Sequence, residues 1–124
     1  MQVLEHLEPK KVFSLFENMC AIPHGSRNTK AISDWCVAFA KERGLEHYQD
    51  EANNVIIIKP AAPGYENAQP VILQGHLDMV CAVRPGSGWN PLTDPVAVVE
   101  EGGFLRSDGR SSLGADNHLG NAAA

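Results

Sequence analysis

His76 and Asp78 stand two residues apart in the run Gly75-His76-Leu77-Asp78, directly after the apolar stretch Val71-Ile72-Leu73. At the carboxyl end of a buried strand, alternation puts both side chains on one side, and that edge is where open α/β sheets hold their sites. A histidine that binds a metal through one ring nitrogen usually gives its other N–H to an oxygen, which fixes the tautomer and raises its basicity. Asp78 is a candidate for the accepting oxygen that orients His76. Taken alone, a His-x-Asp pair is more often a surface hydrogen-bonding group than a site.

The second carboxylate of interest is Asp116, in Ser112-Leu-Gly-Ala-Asp116-Asn117, between a glycine-containing loop and the start of a helix. A carboxylate in that position can bridge two cations, although in isolation it reads more simply as a helix N-cap accepting from free backbone N–H groups. The combination with His76 and Asp78, 38 residues upstream of Asp116 by the count from Asp78, is what raises it above the ordinary.

Several elements must position these groups. From Pro9 to Ala21 the residues Val12, Leu15, Phe16 and Met19 recur at helical steps, and Pro23 blocks continuation. A second helix is predicted from near Thr29, with Ile32, Trp35, Cys36, Phe39 and Ala40 on one face and Gly44 as its stop. Glu46 to Asp50 and Val55 to Lys59 flank Ala52-Asn53-Asn54 and predict a hairpin. Val71 to Gln74 reads as a buried strand sharing a sheet with Val55 to Lys59. Residues 84–95 hold too many prolines and glycines for regular structure, with Trp89 as a loop anchor or rim contact. Val96 to Val99 and Phe104 to Arg106 predict a second hairpin whose turn carries Glu100-Glu101-Gly102-Gly103, and a helix starts in the last residues. The expected fold class is α/β, with helices packed on a mixed, incomplete sheet.

The 124 residues suit one domain, and 44% hydrophobic residues are enough for a packed core. A net charge of -5 with no basic run excludes a nucleic-acid footprint, which needs clustered Lys and Arg. Cys20, Cys36 and Cys81 form neither an even set nor a close pair, which speaks against a disulfide framework or zinc finger and for a reducing cytoplasm. No stretch has the apolar length of a signal peptide or membrane span, so no membrane partner is expected. The glycines of Arg84-Pro-Gly-Ser-Gly88 make a poor phosphate loop, since no Lys-Ser/Thr follows them.

The Ile22-Pro23 segment, the Gly75-His76-Leu77-Asp78-Met79-Val80 run and the Ser112-Leu113-Gly114-Ala115-Asp116-Asn117 run together resemble the co-catalytic zinc peptidases of the aminoacylase and carboxypeptidase G type. Within these the chain looks most like the aminoacyl-histidine dipeptidase family, also called cytosol non-specific dipeptidase or peptidase D. The resemblance covers essentially the whole chain but only about the first quarter of such an enzyme. It implies that residues 1–124 are the N-terminal portion of the catalytic domain, without the lid or dimerisation domain. By the same resemblance His76 ligates one metal, Asp78 is the catalytic-site residue that orients it, Asp116 bridges both metals, and the Asp116-Asn117 peptide is cis. The implied cofactor is two zinc ions, with manganese or cobalt as alternatives, and the implied substrate a dipeptide of Xaa-His type or another short peptide.

The family's glutamate pair, its further acidic ligand and its late histidine lie downstream of the bridging aspartate, and no glutamate follows Glu101 here. Glu100-Glu101, upstream and beside two glycines, is expected in a solvated hairpin turn. The chain alone is therefore expected to be inactive; the alternative is a non-catalytic remnant with weak metal binding or an interaction role. His118 and Asn121 stand where the family has small or apolar residues. His118 is expected to be partly exposed in a frayed helix, and His6, His24 and His47 on the surface. Uncovered sheet edges predict self-association or a homo-oligomer.

Overall fold

The computed structural model describes residues 3–124, an α/β arrangement of three helices and two small antiparallel sheets. The order is α1 (Lys10–Cys20), α2 (Lys30–Glu42), β1 (Glu46–Gln49), β2 (Val55–Ile58), β3 (Val98–Glu101), β4 (Phe104–Ser107) and α3 (Ala115–Ala123). No helix among the described residues is long and apolar enough to cross a membrane.

The periodic apolar residues of α1 bury Phe16, Met19 and Cys20, and this face packs against α3. Leu4, Met79, Trp89, Val96, Val98 and Ala122 complete that core, with Leu77, Leu113 and Ala115 packed on its edge. Burying such a side chain stabilises by about 1.5 to 3 kcal/mol, so the segments that carry the candidate site residues are tied to the helices by their own apolar neighbours. Trp89 is buried and its indole N–H donates to Pro95 O at 2.9 Å, while Val96 N donates to Cys20 O at 2.9 Å. The proline-glycine loop is thus anchored by Trp89 to the carboxyl end of α1.

Helix α2 buries Ile32, Ser33 and Ala40 and packs on β1 and β2, with Trp35 and Cys36 half-buried. It stops as its sequence requires: Gly44 takes a φ of 64°, which lets Leu45 N reach Ala40 O at 2.9 Å. In the following hairpin Glu46 pairs with Ile58 and Gln49 with Val55. Asp50 closes its turn by accepting from Ala52 N at 2.9 Å and Asn54 N at 2.8 Å.

The second hairpin forms with its second strand starting at Phe104 as predicted, but its first strand is shifted by two residues. Gly102 (φ 61°) and Gly103 (φ 79°) alone form the turn, as a two-residue loop with both φ positive demands, so Glu100 and Glu101 are the last residues of β3.

Val71 to Gln74 does not form the predicted strand. It lies beside β2 across a groove of about 730 Å³ without a ladder, and Val71, Ile72 and Leu73 are exposed. A strand needs a neighbour to take its N–H and C=O groups, and none of the described residues supplies one here.

Candidate metal centre

The segment that carries His76 and Asp78 is irregular, and it is held by the loop after α1. Gly25 and Met79 form a parallel bridge: Met79 N donates to His24 O at 3.0 Å and Ser26 N to Met79 O at 3.2 Å. Only a glycine allows that approach, since a Cβ on Gly25 would sit 2.8 Å from Cys81 Sγ. The other half of the centre arrives with α3. Gly114, φ 77°, starts that helix against Met79, whose sulfur would lie 2.8 Å from any Cβ there. The Asp116-Asn117 peptide is cis, as the resemblance implied, and both residues depart from helical φ/ψ.

These supports bring His76, Asp78 and Asp116 together. His76 Nδ1 lies 2.9 Å from Asp78 O and 3.1 Å from Asp78 Oδ1, and His76 Nε2 lies 3.0 Å from Asp116 Oδ1. Both Asp78 atoms and Asp116 Oδ1 are acceptors, and the two on the Nδ1 side against one on the Nε2 side favour the proton on Nδ1 in the neutral ring. The Asp116 side chain is 97% exposed and open to whatever binds there. Its carboxylate raises the His76 pKa most, against the lowering effect of desolvation, with the Asp78 bonds adding to the rise. Asp78 is held below the ordinary carboxylate range, first by the Ser26 hydroxyl, which donates to Oδ2 at 2.5 Å, and then, against desolvation, by His76.

Two contributors were not singled out in the sequence for this task. Ser26 lies in the turn-rich run after Pro23, and nothing local marks it as a partner for a residue 52 positions away. Asn121, noted only as a departure from the family, donates through Nδ2 to His76 O at 2.7 Å.

Two expectations about histidines are overturned. His24 is 2% exposed and His118 fully buried, and their rings stack with centroids 3.9 Å apart at 17°. His24 Nδ1 donates to Ile22 O at 2.5 Å, whereas His24 Nε2 and both His118 ring nitrogens have no partner among the described residues. Helix α3 does not fray because it packs on α1, and that packing carries His118 inward. Burial pushes the His118 pKa down to about 3, with His24 and then His76 repelling its charged form; burial also lowers His24. His6 is exposed and pairs with Glu100 at 2.7 Å, and His47 is half-buried with Nδ1 donating to Leu45 O at 2.9 Å.

Among the described residues no group of three or more His, Cys, Asp or Glu side chains is arranged to hold a metal ion. The His76 and Asp116 pair nonetheless passes a simple fit test. Two ligands bound to zinc at about 2.0 to 2.1 Å in a tetrahedral shell lie about 3.3 Å apart, within a few tenths of an ångström of the 3.0 Å separation here.

No protein-family model matches the chain. Over all 124 residues it is 36% identical to cytosol non-specific dipeptidase of Escherichia coli (strain K12), and it spans 25% of that protein's length. It also superposes on the crystal structure of aminoacylhistidine dipeptidase from Vibrio alginolyticus with a TM-score of 0.92 and 34% identity, over 97% of this chain and 24% of that one. In sequence and in fold the chain therefore resembles about a quarter of a dipeptidase of this kind.

Proposed function

We propose that residues 1–124 are the N-terminal portion of the catalytic domain of a metal-dependent dipeptidase, with His76 as a ligand to one zinc ion, Asp116 as the bridge between two, and Asp78 as the group that orients His76. One observation supports this above all. His76 Nδ1 faces two Asp78 oxygens and Nε2 faces Asp116 Oδ1 at 3.0 Å, so in the neutral ring with Nδ1–H given to Asp78 the Nε2 lone pair and the Asp116 carboxylate are two acceptors face to face. Such a pair repels unless a proton or a metal cation lies between. His76 and Asp116 would hold zinc there, which when bound would polarise a scissile carbonyl and make a water acidic enough to attack near neutral pH. Manganese or cobalt would serve the same donor set.

The substrate class under this reading is Xaa-His and other short peptides, and the setting is the cytoplasm. The chain by itself is expected to be inactive, since hydrolysis needs a general base and a fuller ligand set. Glu100 and Glu101 do not offer one: the first pairs with His6 at 2.7 Å and the second with Arg106 at 3.3 Å, both on the second hairpin.

Calorimetric titration of zinc into the chain and into His76→Ala, beside an Xaa-His hydrolysis assay, tests the reading. His76→Ala is expected to weaken zinc binding at least tenfold, with no turnover by either protein. Binding indifferent to His76 would remove the metal-centre reading. Turnover that depends on His76 would overturn the claim that the chain alone is inactive.

The second reading, a non-catalytic chain with an interaction role, is favoured by one observation: the exposed Ile56, Ile57, Ile58, Val71, Ile72 and Leu73 along the groove beside β2. Such a patch with an unpaired strand edge is expected to drive self-association. Sedimentation velocity should show concentration-dependent larger species, and a single sharp monomer boundary up to high concentration would count against it.

A further inference from the structure

Ser26 is exposed, and its backbone already has a structural task in the bridge to Met79. Its hydroxyl has a different one. The turn it sits in closes through Asn28 N donating to Gly25 O at 2.8 Å, so the hydroxyl is not needed there. It donates instead to Asp78 Oδ2 at 2.5 Å, while the other oxygen of the same carboxylate, Oδ1, accepts from His76 Nδ1 at 3.1 Å beside the Asp78 backbone oxygen, which accepts from the same nitrogen at 2.9 Å. A carboxylate held by one oxygen cannot turn freely about its own bond to the chain. The Ser26 hydroxyl therefore decides which oxygen faces the imidazole, and a charge-assisted bond of this kind is stronger than a neutral one.

We propose that Ser26 is a positioning residue of the metal centre: by fixing the Asp78 carboxylate it adds a second acceptor to the backbone oxygen that already faces His76 Nδ1, and so tips the ring to the tautomer with the proton on Nδ1, leaving Nε2 free to face Asp116. This rests on the metal-centre reading of His76 and Asp116, and it adds to that reading a link in the order Ser26, Asp78, His76, Asp116. Three contacts, at 2.5, 3.1 and 3.0 Å, make the chain continuous. A ligand histidine that spends part of its time in the other tautomer, with the proton on Nε2, must first shed it before it can bind. Outer partners of metal ligands are typically worth 10- to 100-fold in affinity, and Ser26 stands one contact further out, so about tenfold is expected.

The test uses the full 124-residue chain and three proteins, wild type, Ser26→Ala and Ser26→Thr. The first readout needs no metal: the ring nitrogen chemical shifts of ¹⁵N-labelled His76, recorded above its titration so that the ring is neutral. Wild type should report one tautomer, protonated on Nδ1, and Ser26→Ala a mixture. The second is zinc calorimetry, where Ser26→Ala should lose about tenfold and Ser26→Thr, which keeps the hydroxyl, should recover both readouts.

Because Ser26 is exposed and its backbone bonds persist, the alanine variant should melt at the wild-type temperature. A Ser26→Ala chain with the wild-type tautomer overturns the inference whatever its zinc affinity, as does a Ser26→Thr chain that resembles alanine. Zinc binding unaffected by His76→Ala would instead sink the metal-centre reading, and the tautomer measurement would still decide the positioning role separately.

Discussion

Lowering the pH from 7 to 5 is expected to destabilise the metal-free chain by about 2 kcal/mol through His118 alone, and His118→Leu is expected to remove that loss. The sign follows from where the proton goes. His118 has a folded-state pKa of about 3 against an ordinary value of 6.5, so between those limits the unfolded chain binds the proton and the folded chain refuses it. Its contribution is whole above pH 6.5 and is lost progressively as pH falls toward 3, to an order of 4 to 5 kcal/mol at the limit. Its stacking partner His24, also shifted down by burial, acts in the same direction.

The other groups facing the pair do not cancel this. His76 is shifted up, so its contribution is present below 6.5 and lost as pH rises through its folded value, but its side chain is 51% exposed and solvent screening keeps the effect small. Asp78 is shifted down from 3.8, so its loss begins only at pH values below the window of interest. Leucine at 118 also removes two ring nitrogens that have no hydrogen-bond partner. At pH 7.5 the variant should therefore be at least as stable as wild type. Urea unfolding of both proteins at pH 5 and 7.5 makes the comparison, and an acid loss of the same size in His118→Leu would refute the assignment.

The burial of His118 also shows where reading the sequence stops. The helices, the first hairpin and the Gly44 stop follow from residues within a few positions of one another, and they fall within about two residues of where the apolar periods and turn residues put them. The first strand of the second hairpin moved by two residues because the Gly102-Gly103 turn outranks the apolar run before it. His24 and His118 are 94 positions apart, and each alone has the composition of a surface residue. Only the packing of α3 on α1, with Gly114 against Met79, turns them toward each other.

The candidate centre divides along the same line. His76, Asp78 and Asp116 could be singled out because their side-chain chemistry and spacing carry a motif, and the structure brings the three within hydrogen-bonding distance. Ser26 and Asn121 could not, since their roles are set by contacts across 52 and 45 positions. Val71 to Leu73 failed as a strand for a related reason: an apolar run says that a segment prefers burial, and says nothing of whether a neighbour is present to pair with it.

Gly75→Ala is expected to destabilise the chain by about 2 to 3 kcal/mol, as the sum of overpacking and one lost hydrogen bond. Gly75 does not need a positive φ; what it needs is space. A Cβ there would lie 2.0 Å from Asn121 Oδ1 and 2.3 Å from Asn117 Nδ2, far inside contact distance. Relief has a cost: Asn117 must move its amide, and Asn121 can swing away only by giving up its 2.7 Å bond to His76 O. The disturbance therefore passes to the backbone of His76 on one side and to the residue after Asp116 on the other, and zinc affinity should fall together with stability. A double-mutant cycle with Asn121→Ala separates the causes. If the clash with Asn121 dominates, Asn121→Ala alone should cost about 1 kcal/mol for the lost bond, and the double variant should be more stable than Gly75→Ala. A Gly75→Ala chain that unfolds with the wild type would show that α3 does not clamp His76 through this contact, and would leave the loop at Gly25 as its main support.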